Sequence, residues 1–404
     1  MGATLITTDA YFDGAVHHAD GPYQIRVDNG MIAEVAQGTP ETGEPSLEAI
    51  HSPFLMPGLV EGHCHLFLEG GELDFQKRKD YLNAPFEEML SQARSSMGQN
   101  IKFGITLIRD AGDIHGINTR LKKEIDDDPQ SLANLLSPGV AIRKAGRYGS
   151  FMGREVTDID SIIQTVREIA PTASQLKIIL TGIIDFEKGI MKGDTQFSLE
   201  ETRVLVDTAK ELRLLTYAHC SGEEGLRIAV EAGIDSIEHG FFMTREILQA
   251  MADKKIAWVP TYSPVDFQLQ HPELAGWDSA TCDRLRSILE NHDTHIALAY
   301  EMGVPIVAGS DAGSYGVVHG EALIDELCYL HQAGGSVANV LASATSLPRR
   351  LWHCPSADII PGNPANLLLL GGSPFENLEN IRHPRGIFRH SWHPFQAEAS
   401  TLNQ

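Results

Sequence analysis

Residues 54–65 read FLMPGLVEGHCH, an apolar run interrupted only by Pro57-Gly58 that ends in His63-Cys64-His65. A short apolar run bounded by turn residues suits a strand buried on both faces. Side chains alternate with period two along such a strand, so both imidazoles point to the same side. Seven further runs of this texture follow: TLIRDAG (106–112), VAIRKAG (140–146), LKIILTG (176–182), LLTYAHC (214–220), SIEHG (236–240), IAWVPTY (256–262) and PIVAGSDAG (305–313). Helix-like segments lie between them, for example FEEMLSQARSSMGQNIKFG (86–104), SLEETRVLVDTAKELR (198–213) and CDRLRSILENHDTHIALAYEMG (282–303). Eight strands alternating with helices over roughly 250 residues predict an α/β fold, a (β/α)8 TIM barrel over residues 55–345. A doubly wound sheet is the alternative, but no GxGxxG loop follows the first run.

Outside the barrel the texture changes. ATLITTDAYFDG and YQIRVDNGMIAEVAQG near the start, then GNPANLLLLGG and RGIFRHSWHP near the end, read as strands joined by turns, with Asp28-Asn29-Gly30 as a hairpin signal. Residues 1–54 and 346–404 are therefore expected to form one small β-sandwich domain built from both chain ends.

Composition bounds the function. The 404 residues carry 54 acidic and 32 basic side chains, a formal net charge of −22. Such a surface repels phosphate backbones and anionic lipid, so nucleic acid and membrane are excluded as expected partners in favour of a small-molecule substrate. Five scattered cysteines without a CxxC pair, no basic-apolar leader at the start and no apolar run near the ~20 residues of a membrane helix point to a reduced, cytoplasmic setting. Homo-oligomer formation is compatible with all of this.

The chemistry gathers at the strand ends. In barrel enzymes the C-terminal strand ends form the active-site rim. His63 and His65 close the first run, His219 the fifth, His239 the sixth and Asp311 the eighth. An isolated HxH carries modest weight, but four histidines and a carboxylate at such positions form a divalent-metal donor set. His271, His292, His295, His319, His331 and His353 fall in loops or helices and read as structural or surface residues. Lys177 sits in an otherwise apolar strand, where a free ammonium is costly to bury. The bland reading has its head snorkelling to water. The functional reading needs a neutral amine, which captures carbon dioxide to give an anionic carbamate.

These pieces together resemble the amidohydrolase superfamily, in its binuclear metal-dependent branch of prolidase-like and imidazolonepropionase-like hydrolases. The resemblance rests on PGLVEGHCH, GITLIRDAG, LKIILTG, the His219 region, AGIDSIEHG, AGSDAG, ATSLPRRL and PGNPANLLLLGGSPFENL, and covers nearly the whole chain. It implies two divalent ions, with zinc the first expectation. His63, His65 and Asp311 would hold one, His219 and His239 the other, and carboxylated Lys177 would bridge them. It further implies hydrolysis of a carbon–nitrogen bond by a metal-bridging hydroxide, with Asp311 as catalytic base and then acid. Deaminase relatives place a Glu three residues after the fifth-strand His, where this chain has Gly222.

For substrate recognition the loop KAGRYGSFMGRE (144–155) offers Arg147, Tyr148 and Arg154, where prolidase-like relatives often carry a His-Gly. Tyr262 and Ser263 follow the seventh run, and Arg109 and His115 are weaker candidates. Cys64, Cys220, Trp258 and Trp352 read as packing residues. The leading expectation is hydrolysis of an N-acyl amino acid or dipeptide. The runner-up is a urea, carbamate or lactam hydrolase, and a mononuclear deaminase or a non-catalytic metal-binding barrel stands behind both.

Overall fold

A computed structural model describes residues 3–39 and 48–395; positions 1–2, 40–47 and 396–404, parts of the expected terminal domain, lie outside the described residues. The chain divides into two units, one comprising residues 1–60, 100–106 and 336–404, the other 61–99 and 107–335.

The first unit is built on a mixed sheet of eight strands. Along the main path it runs Ser391–Pro394, Pro384–Arg389, Asn366–Leu370, Glu48–Pro57, Thr4–Phe12, Tyr23–Asp28 and Met31–Gln37, with His17–His18 against Thr4–Phe12. Thr4–Phe12 and Glu48–Pro57 pair in parallel, with Ile6 opposite Ile50. The hairpin read at Asn29-Gly30 is present. Both residues have positive φ, +52° and +79°, and Asp28 pairs with Met31 across the turn. That is the geometry of a type I′ turn, which Asn-Gly adopts at little cost. Alternation places Ile6, Ile25, Val27, Leu55, Leu367, Leu369 and Phe388 in one buried cluster.

The second unit is α/β; the ladders of its six-stranded sheet are parallel, and a short pair, Ile184–Asp185 with Ile190–Met191, is antiparallel. One sheet orders Gly153–Val156, Ala141–Lys144, Leu176–Ile179, Thr216–Cys220, Ser236–His239 and Ala257–Val259. Another orders Leu59–Cys64, Ile105–Asp110 and Asn134–Leu136. The run 305–313 forms no continuous strand. Its Ile306 bridges Trp258 and its Ala312 bridges Cys64, each in the parallel sense, so it touches a strand of both sheets. The third run, 140–146, forms Ala141–Lys144, and a further short strand before it, Asn134–Leu136, pairs with Ile105–Asp110 in the other sheet. Between them stand Pro138, which has no N–H to give a ladder, and Gly139 at φ +68°.

Helices start and stop where their caps dictate. Leu199–Glu211 begins at a capping box in which Ser198 and Glu201 bond reciprocally. Ser279–Met302 starts at the Asp278 cap and ends at Gly303, φ +75°. Among the described residues no helix is long and apolar enough to cross a membrane.

Candidate metal centre

Strand register brings the polar residues together. Lys177 lies opposite Tyr217 and Tyr217 opposite Ser236; one step on, Ile179 pairs with His219 and His219 with Glu238. Residues facing each other across parallel ladders point to the same side, so Lys177, Tyr217, His219, Ser236 and Glu238 share one face. His239, next to Glu238, would by alternation point to the other. Its backbone is left-handed (φ +68°), which re-aims the ring towards His63 and His219. Trp258 Nε1 donates to the His239 carbonyl at 2.9 Å and holds that turn. Asp311 (φ +57°) and Thr261 (φ +49°) are left-handed too. Strained non-glycine residues of this kind tend to cluster at functional sites.

His63, His65 and Asp311 present ligand atoms that all lie within 4.8 Å of one another, and all three residues are buried. Asp311 Oδ1 is 3.6 Å from His63 Nε2 and 3.4 Å from His65 Nε2. The His63 and His239 rings are 5.0 Å apart, those of His219 and His239 4.5 Å. His65 Nδ1 is buried without a hydrogen-bond partner. On the other three imidazoles the second ring nitrogen is tied back: His63 Nδ1 to Glu238 Oε2 at 2.5 Å, His239 Nδ1 to Thr261 Oγ1 at 2.7 Å, and His219 Nε2 to the Gly182 carbonyl at 3.0 Å. If these nitrogens donate, His63 Nε2, His239 Nε2 and His219 Nδ1 carry lone pairs. His239 Nε2 and Asp311 Oδ1 are buried without a hydrogen-bond partner. Buried, unpartnered acceptors of this kind are what a metal cation satisfies, so the residues present fit one.

Electrostatics favour the same state. Burial, reinforced by the Lys177 charge, holds His63 and His219 down to about 4. Burial beside His219 depresses His239 further. His63, His219 and His239 are therefore neutral at pH 7, the form in which an imidazole can ligate a metal. Burial works to raise the Asp311 carboxyl, but His65, with Nε2 at 3.4 Å, and the neighbouring imidazoles outweigh it and hold it far below the usual carboxylate range. Lys177 is 1% exposed. Burial, aided by Arg109 and opposed by Glu238, lowers its amine to about 8, so a neutral fraction exists near pH 7. Its Nζ stands 4.9 Å over the Tyr217 ring.

The substrate candidates separate. The Tyr148 ring lies 5.5 Å from His219, and the loop that bears it is held where Gln196 Nε2 donates to the Tyr148 carbonyl at 3.1 Å. Arg147 is exposed and donates to the Asp194 carbonyl. Arg154 is exposed and pairs with Glu168 at 2.8 Å. Tyr262 stacks on Tyr329 at 4.4 Å and donates to Asp293 at 3.3 Å, while Ser263 donates to Glu326. His115 packs 6.2 Å from Phe67. Arg109, expected weakly at the mouth, is instead buried, with Nη2 2.8 Å from both oxygens of Glu238. Glu238 escaped the reading of the sequence: beside His239 in SIEHG it looks like one more strand residue, and only the His239 turn lets both neighbours serve one site. Phe151 was likewise missed. Its ring lies 6.3 Å from His65, and it also lines a cavity of about 1030 Å³.

Comparison with known proteins bears on this arrangement. The amidohydrolase family profile matches residues 54–396. An uncharacterized protein of Mycobacterium tuberculosis is 26% identical over 334 residues, 82% of each chain. The ochratoxinase of Aspergillus niger is 25% identical over 379 residues, 84% of this chain and 74% of that one. Among solved structures, a Xaa-Pro dipeptidase with methionine bound in its active site superposes with a TM-score of 0.82 at 23% identity, covering 98% of this chain and all of the other.

Proposed function

Because this chain belongs to the amidohydrolase family and is a hydrolytic enzyme, we propose that it hydrolyses an amide bond in a small molecule of the N-acyl amino acid or dipeptide class, using two divalent metal ions. The observation that carries this reading is the unpartnered, buried pair Asp311 Oδ1 and His239 Nε2, set among His63, His65 and His219. In it, His63, His65 and Asp311 hold one ion and His219 and His239 the other. The parallel strands, bridged through Ile306 and Ala312, form a barrel with this centre at its C-terminal rim. Zinc suits the nitrogen-rich donor set.

Lys177, as a carbamate, would complete the set of residues that hold the ions. Its neutral amine adds to the carbon of carbon dioxide and releases one proton, giving an anionic group with two donor oxygens. The lowered amine pKa supports this, since the reaction needs the unprotonated form. When bound, the ions polarise the substrate carbonyl and lower the pKa of water. Asp311 accepts the proton that water gives up at attack on the carbonyl carbon. It then delivers that proton to the departing nitrogen as the carbon–nitrogen bond breaks, so one water is consumed and one acid and one amine are released. Tyr148 orients the substrate beside His219.

The test is a panel of N-acyl amino acids, dipeptides, ureas, carbamates and lactams, offered to protein loaded with zinc and bicarbonate. Release of free amino acid from the first two groups is expected. Turnover confined to ureas, carbamates or lactams would replace this reading with the runner-up.

A further inference from the structure

Glu238 is a heavily engaged carboxylate beside the site, yet it has no place in the ligand set. It is fully buried. Its Oε2 lies 2.5 Å from His63 Nδ1, its Oε1 accepts from Ser236 Oγ at 2.6 Å, and Arg109 Nη2 reaches both oxygens at 2.8 Å. A carboxylate occupied by these donors has little capacity left for a metal and acts through its neighbours. Arg109 is fixed in turn: its Nε donates to the Gly62 carbonyl at 2.7 Å, and its guanidinium stacks 4.5 Å from the Tyr217 ring. Tyr217 donates to the Asp110 carbonyl at 2.6 Å. The assembly spans the strands Leu59–Cys64, Ile105–Asp110, Thr216–Cys220 and Ser236–His239.

We propose that Arg109 and Glu238 form a positioning relay for His63. Arg109 aims the Glu238 carboxylate, and Glu238 holds the proton of His63 on Nδ1, so that the Nε2 lone pair faces Asp311. This rests on the reading of His63 as a metal ligand. An imidazole free to exchange its proton between nitrogens spends part of its time with Nε2 blocked, and partners of this kind typically carry 10–100-fold in metal affinity. The competing reading is a buried ion pair that only ties strands together, for which replacing both partners by a neutral pair is often harmless.

The experiment compares wild type, Glu238→Gln, Arg109→Met and the double variant. Three quantities are read: zinc dissociation by chelator competition, the 15N imidazole spectrum of the metal-free protein with the His63 signal assigned by its loss in His63→Gln, and thermal unfolding. Each single variant leaves a buried partner uncompensated and can lose stability for that reason alone. The double variant, which removes both charges, is therefore decisive. We expect it to fold but to bind zinc at least about tenfold more weakly, with His63 no longer held in one tautomer. Zinc affinity and a His63 spectrum equal to wild type in the double variant would overturn the relay. Wild-type protein that takes up no zinc would refute the metal-site reading instead. The His63 tautomer in the metal-free protein would still decide the relay.

Discussion

Asp311 Oδ1 faces His65 Nε2 at 3.4 Å, buried and without a hydrogen-bond partner, from a residue whose backbone is left-handed. A strained aspartate with a spare acceptor serves nothing in packing. Strain of order 1–3 kcal/mol per residue persists only where the surroundings enforce it.

Asp311→Asn is the sharpest substitution at this position. Asn tolerates positive φ nearly as well as Asp, so the backbone is spared. The amide cannot carry a proton from water to the leaving nitrogen. Turnover should fall by at least about 10³-fold, with thermal unfolding close to wild type. Wild-type turnover in metal-replete Asp311→Asn protein would remove Asp311 from the proton path.

Tyr148 lies in the loop after Ala141–Lys144 and Arg154 in the strand Gly153–Val156 that follows it, and the two should respond differently. Tyr148 lies beside His219, whereas Arg154 pairs with Glu168 at the surface. Tyr148→Phe should lower kcat/KM by about tenfold, the order expected for one lost hydrogen bond to substrate, with metal content unchanged. Arg154→Ala should stay within about twofold of wild type, since exposed ion pairs contribute little. Steady-state kinetics on both variants checks the contrast, and equal losses would place both residues in the site.

Glu326 predicts a pH dependence of stability outside the centre. It is buried, with Oε1 accepting from Ser263 N and Oγ, each at 2.6 Å. Burial pushes its carboxyl from 4.5 up to about 8, against those hydrogen bonds. The folded state thus keeps a proton that the unfolded chain has lost. The associated stability is fully present below pH 4.5 and is lost as pH rises towards 8. Glu326→Gln keeps an acceptor for Ser263 and removes the titration. Its Tm should match wild type near pH 4.5 and exceed it increasingly up to pH 8, by the equivalent of a few kcal/mol, at about 1.4 per pKa unit. A Tm difference independent of pH, measured by calorimetry across that range, would contradict this.

Much of the candidate site was legible because its residues sit on short apolar strands, where period-two alternation says which side chains share a face. His63-Cys64-His65 needed only strand parity, and Lys177 stands out as a cation in an otherwise apolar strand. His239 broke parity, and a positive φ at a histidine leaves no trace in composition. The same turn concealed Glu238, whose partners Arg109 and His63 lie 129 and 175 residues away. Arg109 was misjudged for a related reason: an arginine in an apolar strand looks like a rim residue until its carboxylate is found. The strand Asn134–Leu136 has no counterpart among the eight runs: three residues are too short a stretch to register as a run, and Pro138-Gly139 separate them from Ala141–Lys144.

The central claim is a two-metal centre bridged through Lys177. Metal content per chain should therefore be measured on protein purified with zinc and bicarbonate, beside Lys177→Ala prepared identically. Close to two equivalents in wild type, falling in the variant, is the predicted result. One equivalent or less in wild type, unchanged by Lys177→Ala, would contradict it.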